Sequence, residues 1–347
     1  MAVFTEDELK KQIKDGDFQR VYLIYGDEGY LKQYYADLLC TKTVEKDFAD
    51  FNLNKLDGAD SGLNVIYDCI SAFPMMGGYT CTLVKDLPLN NFIGDRGKVD
   101  SEFQTVLDDI PETSVLVFYM DTVEVDEKNS KWAKVIKLID ERGVCAKIDK
   151  RSRTALEKLL VASAAKKGCE LSRETAGYLI NLAGEDLATL RNELDKVCGY
   201  VGSGEIKRSH IDETVIVSVE AKIFQLSRMI AQGNADAAYE NLQNLFKLRE
   251  EPVAILAVLS KAYVDMYRVK AAKEKGIYYS KLGEYFPSSY KGREFVLKNA
   301  DNDSSRYSLT QLKNALAALT DADRRLKSTG EDGKLVLEEL ILKLLRV

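Results

Sequence analysis

One histidine, His210, is the whole supply of imidazole in this chain. Catalytic triads, imidazole metal sites and His acid/base pairs therefore have at most one possible member each. His210 also stands in a polar stretch, "GSGEIKRSHIDETV", that reads as a connection. The six cysteines, Cys40, Cys69, Cys81, Cys145, Cys169 and Cys198, are scattered, and no CxxC brings two together. That spacing argues against a zinc site or a redox pair and for buried free thiols. Five prolines are too few for a disordered chain. An excess of positive charge is also missing: 49 Lys and Arg against 55 Asp and Glu leave a net charge of −6. A protein that grips DNA unaided is usually basic, because phosphate neutralisation supplies the affinity. No window reaches about 18 uninterrupted apolar residues, so no membrane span is expected. The opening, "MAVFTEDELKKQIKDGDF", is too charged for a secretory signal. These absences describe a reduced, cytoplasmic protein with no membrane partner.

What is present is ample apolar matter, 46% of 347 residues, enough for two or three domains. Over the first 150 residues, β-prone runs alternate with helical spacings. The runs are 20–25, 51–56, 79–84, 114–120 and 144–148. Such alternation predicts a mainly parallel sheet covered by helices on both faces. Beyond residue 150 the strand signals stop. Short helices follow, started by Ser152, Ser172 and Glu185-Asp186 and stopped by Gly168, Gly184 and Gly199. From about 218 the pattern is helical in longer pieces: 219–232, 234–248, 251–275, 308–328 and 331–346. In the last, Leu335, Leu337, Leu340, Ile341, Leu344 and Leu345 cover more than one face, as in a helix buried among neighbours. The domains read as 1–148, α/β; 149–215, small and helical; and 216–347, all α.

The stretch "RVYLIYGDEGYLKQYYADLL" has the layout of a phosphate-binding P-loop: strand, Gly26, then Lys32 opening a helix. The signature needs a second glycine before the lysine and a Ser or Thr after it. Leu31 and Gln33 stand there instead. A branched side chain keeps backbone from phosphate, and an amide is a poor Mg²⁺ ligand. Lys32 by itself is uninformative, since most lysines are solvated. A hydrolase also needs acids after the strand beside the loop. "SVLVFYMDTVEV" offers only Asp121, where an Asp-Glu pair would organise Mg²⁺ and activate water. The site reads as an inactive remnant, and no cofactor or metal is expected. The 55 acidic residues fall mostly on solvated helix faces and single out no catalytic pair.

A second segment, "ISAFPMMGGYTCTLVKD", places Phe73, Pro74, Met75 and Met76 before Gly77 and Gly78 in what should be a surface connection. Loops are normally polar. One reading tucks this helix end into the core, with Gly77 as its cap. The other projects the methionines, flexible and polarisable, into a partner's pocket.

In order, these pieces resemble the clamp-loader branch of AAA+ proteins: a parallel α/β domain with a degenerate P-loop, a small helical lid and a helical collar. More narrowly, "VYLIYGDEGYLKQ", "FPMMGGYTCTLVKD", "AGEDLATLRNELDKV" and "LKNALAALTDADRRLKSTG" are similar to segments of the delta subunits of bacterial DNA polymerase III. The resemblance implies a non-ATPase subunit that binds and opens the β sliding clamp. It also implies a C-terminal collar shared with tau/gamma and delta prime, and contact with primed DNA only within the complex. It puts the clamp-binding residues at Phe73, Pro74, Met75 and Met76. Many members carry Leu or Phe there; the Met pair keeps hydrophobicity and gives up rigid aromatic shape. Leu187 falls where active loader subunits carry a nucleotide-sensing arginine. Two alternatives compete. A true AAA+ ATPase is opposed by Leu31, Gln33 and the lone Asp121. A delta-prime-like subunit would carry cysteine zinc ligands or a Ser-Arg-Cys segment, and "RSR" at 151–153 is not that motif.

Overall fold

The structure, a computed structural model, describes residues 3–76, 78–290, 294–328 and 330–347. The chain divides into two compact units, the first ending at Arg151 and the second starting at Ser152.

The first unit runs α1 (Glu6–Asp15), β1 (Val21–Tyr25), α2 (Gly29–Thr43), α3 (Ala49–Asn52), β2 (Leu53–Asp57), α4 (Leu63–Ser71), β3 (Thr80–Lys85), α5 (Ser101–Asp108), β4 (Ser114–Tyr119), α6 (Ser130–Asp140) and β5 (Val144–Lys147). The strands form one parallel sheet in the order β2-β3-β4-β1-β5. Every residue of the interior strand β1 is buried, as expected when helices cover both faces. On one face Val21, Leu23 and Tyr25 pack with Leu116, Phe118 and the apolar sides of α4, α5 and α6. On the other, the Tyr22 hydroxyl reaches Gln12 of α1 at 3.3 Å. There too Cys81 of β3 lies 3.7 Å, sulfur to sulfur, from Cys40 of α2. The alternating pattern thus gave the expected parallel α/β arrangement, with one shift. Residues 49–52, partly read as strand, close a helical turn before β2 begins. The unit is also tied end to end. Arg151 donates to both Glu6 carboxylate oxygens at 2.6 and 2.7 Å, and the Tyr35 hydroxyl donates to Glu6 at 2.8 Å.

The second unit runs α7 (Arg153–Lys166), β6 (Cys169–Glu170), α8 (Arg173–Ala183), α9 (Leu187–Val201), β7 (Gly204–Glu205) and α10 (Arg208–Thr214). It continues with α11 (Val219–Ala231), α12 (Ala235–Lys247), α13 (Pro252–Glu274), α14 (Leu282–Tyr285), α15 (Pro287–Tyr290), α16 (Glu294–Ser304), α17 (Leu309–Ser328) and α18 (Gly333–Leu345). Ser152, Ser172 and Asp186 accept from backbone N–H groups of the first turns they open.

Four expectations are corrected. Strand does not stop at 150, because β6 and β7 pair in parallel. The stretch 202–215 is not a plain connection: it carries β7 and α10, with His210 inside the helix, anchored by buried Ile206 and Ile211. Two isolated apolar residues give no period to read. Gly199 does not end its helix; α9 runs on to Val201, and Gly202, at φ +75°, makes the stop. Between 276 and 307, where no element was assigned, lie α14, α15 and α16. On α18, Val336, Leu337, Leu340, Ile341 and Leu344 are buried, whereas Leu335 and Leu342 are 52% and 56% exposed.

Candidate functional site

The degenerate P-loop lies at the end of β1, and β4 is its hydrogen-bonded neighbour, with Ile24 opposite Tyr119. That pairing brings Asp121 beside the loop. Gly26 is required here for a reason other than phosphate. Its φ is +120°, and a Cβ would meet the Ile148 carbonyl oxygen at 2.4 Å. The loop is closed down onto the end of β5, and the Glu28 N–H donates to that same Ile148 oxygen at 3.0 Å. Backbone amides of a working P-loop point at phosphate; this one is occupied. Glu28 is also the N-cap of α2 by backbone position, and its side chain accepts no capping hydrogen bond.

Lys32 departs from the solvated lysine expected of it. It is only 4% exposed, and its ammonium donates to Met120 O at 2.6 Å and Asp121 O at 3.2 Å. Burial pulls its pKa below the usual lysine value, against the opposing pull of Asp121, Asp86, Asp27 and Glu28. Leu31 is buried and Gln33 exposed. Asp121 pairs with Lys85 at 2.8 Å. That hydrogen-bonded ammonium holds its carboxyl below the ordinary range, although burial works the other way. Gln33, Lys85 and Asp121 line one hollow of about 320 Å³.

Sequence reasoning did not single out Asp86 as a structural residue. Its Oδ1 accepts from the N–H groups of Asp121, Thr122 and Val123 at 2.7, 2.9 and 3.2 Å. Its Oδ2 accepts from the Thr122 hydroxyl at 2.9 Å. One carboxylate thereby fixes the turn that carries Asp121. The "KD" at 85–86 was the available signal: Lys85 holds the Asp121 side chain and Asp86 holds its backbone.

The second candidate segment follows α4, whose Leu63, Ile66 and Ile70 are buried against the sheet. The helix stops at Ser71, and Pro74 disfavours helix at the residue before it. Phe73, Met75 and Met76 are 89%, 54% and 83% exposed, and Pro74 is half-buried. Met76 takes φ +56°, a left-handed turn in the backbone. Gly77, read as a cap or a point of reversal, lies outside the described residues. Asn52 was also missed. Its buried side chain accepts from the Met75 N–H at 2.7 Å and donates to the Met75 carbonyl at 3.1 Å. The two segments do not converge on one site: Phe73–Met76 follow α4 and precede β3, whereas the loop remnant lies past the far ends of the strands. In the second unit Leu187 is buried at the start of α9.

Two family models match the chain. Residues 22–145 match the model described as DNA polymerase III, delta subunit, and residues 220–344 the model of that subunit's C-terminal domain. The chain is 24% identical over 340 residues to DNA polymerase III subunit delta of Bacillus subtilis, covering 97% of this chain and 96% of that protein. It is 23% identical over 265 residues to the probable DNA polymerase III subunit delta of Aquifex aeolicus, covering 74% and 73%. Among solved structures, the Bacillus subtilis DNA clamp loader delta protein has the same fold, with a TM-score of 0.61 at 23% identity over 98% of this chain and 99% of that one. The two matched segments, one in each unit, and the relative matched over almost the whole chain agree: the chain belongs to the DNA polymerase III delta-subunit family.

Proposed function

We propose that this chain binds and opens the β sliding clamp, so that the clamp can be placed on primed DNA, and that it does so without hydrolysing ATP. The observation that carries the reading is the exposure of Phe73, Met75 and Met76 on a short segment between a packed helix and a buried strand. Apolar side chains so placed fit an apolar pocket on a partner. The nucleotide half rests on the loop remnant: Lys32 is engaged by carbonyls, the Glu28 N–H is taken by Ile148, and Leu31 and Gln33 replace the glycine and hydroxyl. In this reading residues 1–148 carry the clamp-binding tip and 149–215 form the lid. Residues 216–347 join tau/gamma and delta prime in the collar. DNA is met only within the complex, and no cofactor takes part. Among the described residues no helix is long and apolar enough to cross a membrane, which accords with work in the cytoplasm.

The test is clamp binding by the isolated chain with no nucleotide present. Each methionine buried in a clamp pocket contributes about 1.5–3 kcal/mol, part of it offset by ordering of the side chain. Replacing both with Ala is expected to weaken clamp binding on the order of 30- to 1000-fold while the melting temperature stays put. Mg-ATP is expected to change neither quantity. A double variant that melts early but binds clamp normally returns the pair to a structural role.

A further inference from the structure

Asn52 is a polar side chain only 1% exposed, and its partner lies 23 positions away. Its amide meets Met75 at two points: the Met75 N–H donates to Oδ1, and Nδ2 donates to the Met75 oxygen. Only one orientation of the amide satisfies both, so the pair fixes the side chain as well as the backbone it holds. The arrangement copies what a neighbouring strand would offer a single residue, at a place where no strand runs. Asn52 ends the helical turn α3, immediately before edge strand β2. Its own position is therefore set by the sheet.

We propose that Asn52 is a positioning residue for the clamp-binding tip: it holds the backbone of Met75 so that the side chains of Met75 and Met76 project in a fixed direction. The inference rests on the clamp-binding reading of that tip. The next residue, Met76, turns left-handed at φ +56°, a conformation that a non-glycine residue keeps only where its surroundings impose it. Met75 is gripped on the residue just before that turn. Both side chains stay exposed, so the grip acts on the main chain and leaves the apolar atoms free for a partner. Holding a loop in its bound shape lowers the ordering cost of binding. Asn52 itself is buried, so it acts through the tip rather than by touching the clamp.

The experiment is a cycle of clamp affinities measured on the full chain: wild type, Asn52→Leu, Met75→Ala with Met76→Ala, and the combination of all three. Leucine keeps the number and branching of the side-chain heavy atoms and removes both hydrogen bonds. It is expected to weaken clamp binding about tenfold in the wild-type background. In the chain lacking both methionine side chains it is expected to change affinity by less than about twofold, because there is no tip left to aim. Amide exchange at Met75 in the free subunit is expected to quicken in the leucine variant. Equal losses in both backgrounds would overturn the proposal by showing a role independent of the tip. So would an unchanged affinity in Asn52→Leu when the double alanine variant binds weakly. If the double alanine variant binds as wild type, the clamp-binding reading itself fails, and the positioning role falls with it. Should the leucine variant not fold, Asn52→Asp takes its place in the cycle with the same expectations. It keeps shape and acceptor but turns a carboxylate oxygen towards the Met75 carbonyl.

Discussion

Lys32 and Asp86 are the two residues that organise the remnant loop, and only one of them was visible in advance. That Leu31 and Gln33 replace the glycine and hydroxyl of the P-loop pattern needs only local sequence, as does the single acid at Asp121. The fate of Lys32 does not, because its partners are main-chain oxygens 88 and 89 positions away. Main-chain acceptors leave no mark on a sequence. Asp86 was quoted in the "KD" but its role depends on a turn 35 to 37 residues further on. Burial works to raise its carboxyl, and the hydrogen bonds from Val123, Thr122 and Asp121 outweigh that, holding it below the ordinary 3.8. A depressed folded-state value means stability that is fully present above pH 3.8 and is lost as pH falls through the folded value. Asp86→Asn keeps the shape and one acceptor but removes the charge, and Asn tolerates the left-handed φ of +55° found here. It is expected to cost about 1–2 kcal/mol near neutral pH. Denaturant unfolding of both proteins across pH checks this: the gap should close in acid, and a gap independent of pH would mean that charge is not what stabilises the turn.

At the scale of elements, periodicity carried most of the information. The five strands and the long helices of the second unit announced themselves because their apolar residues recur over many positions. The stretches that escaped notice, α10 and α14–α16, are short or weakly apolar, and their burial is decided by distant partners. For α18 the stripe wider than one face reads as a helix buried partly within its domain and partly against neighbouring subunits, and in the isolated chain Leu335 and Leu342 face outward. Seven positions apart, they fall on one side of the helix. In the collar reading that side meets another loader subunit. Replacing both with Gln is expected to shift the unfolding free energy of the isolated chain by about 1 kcal/mol or less. Assembly with tau/gamma and delta prime, followed by gel filtration, is expected to fail or weaken. Leu337→Ala, in the buried part of the same helix, should instead cost about 2–5 kcal/mol. If the Gln pair assembles normally, this face is not the collar contact.

At the scale of the molecule, the sheet unit holds everything that the clamp-binding reading requires, Asn52 and Phe73–Met76 included. A fragment of residues 1–151 is expected to unfold cooperatively, since domains usually keep their own cores. A boundary drawn at 148, where the strand signal ends, omits Arg151 and its paired bonds to Glu6. The 1–148 fragment is therefore expected to be less stable by about 1–2 kcal/mol, read from thermal or urea melts of the two fragments. Equal melts would show that the pairing adds nothing. The link from Arg151 through Glu6 to Tyr35 has a mechanical side. Tension arriving along the chain from Ser152 reaches Arg151 before it reaches β5, which is an edge strand. Without an anchor, such a pull would peel that edge one hydrogen bond at a time. Arg151 passes the load to Glu6 on α1, and Glu6 shares it with Tyr35 on α2. A strand and two helices then resist together, so the sheet unit can be levered as one piece.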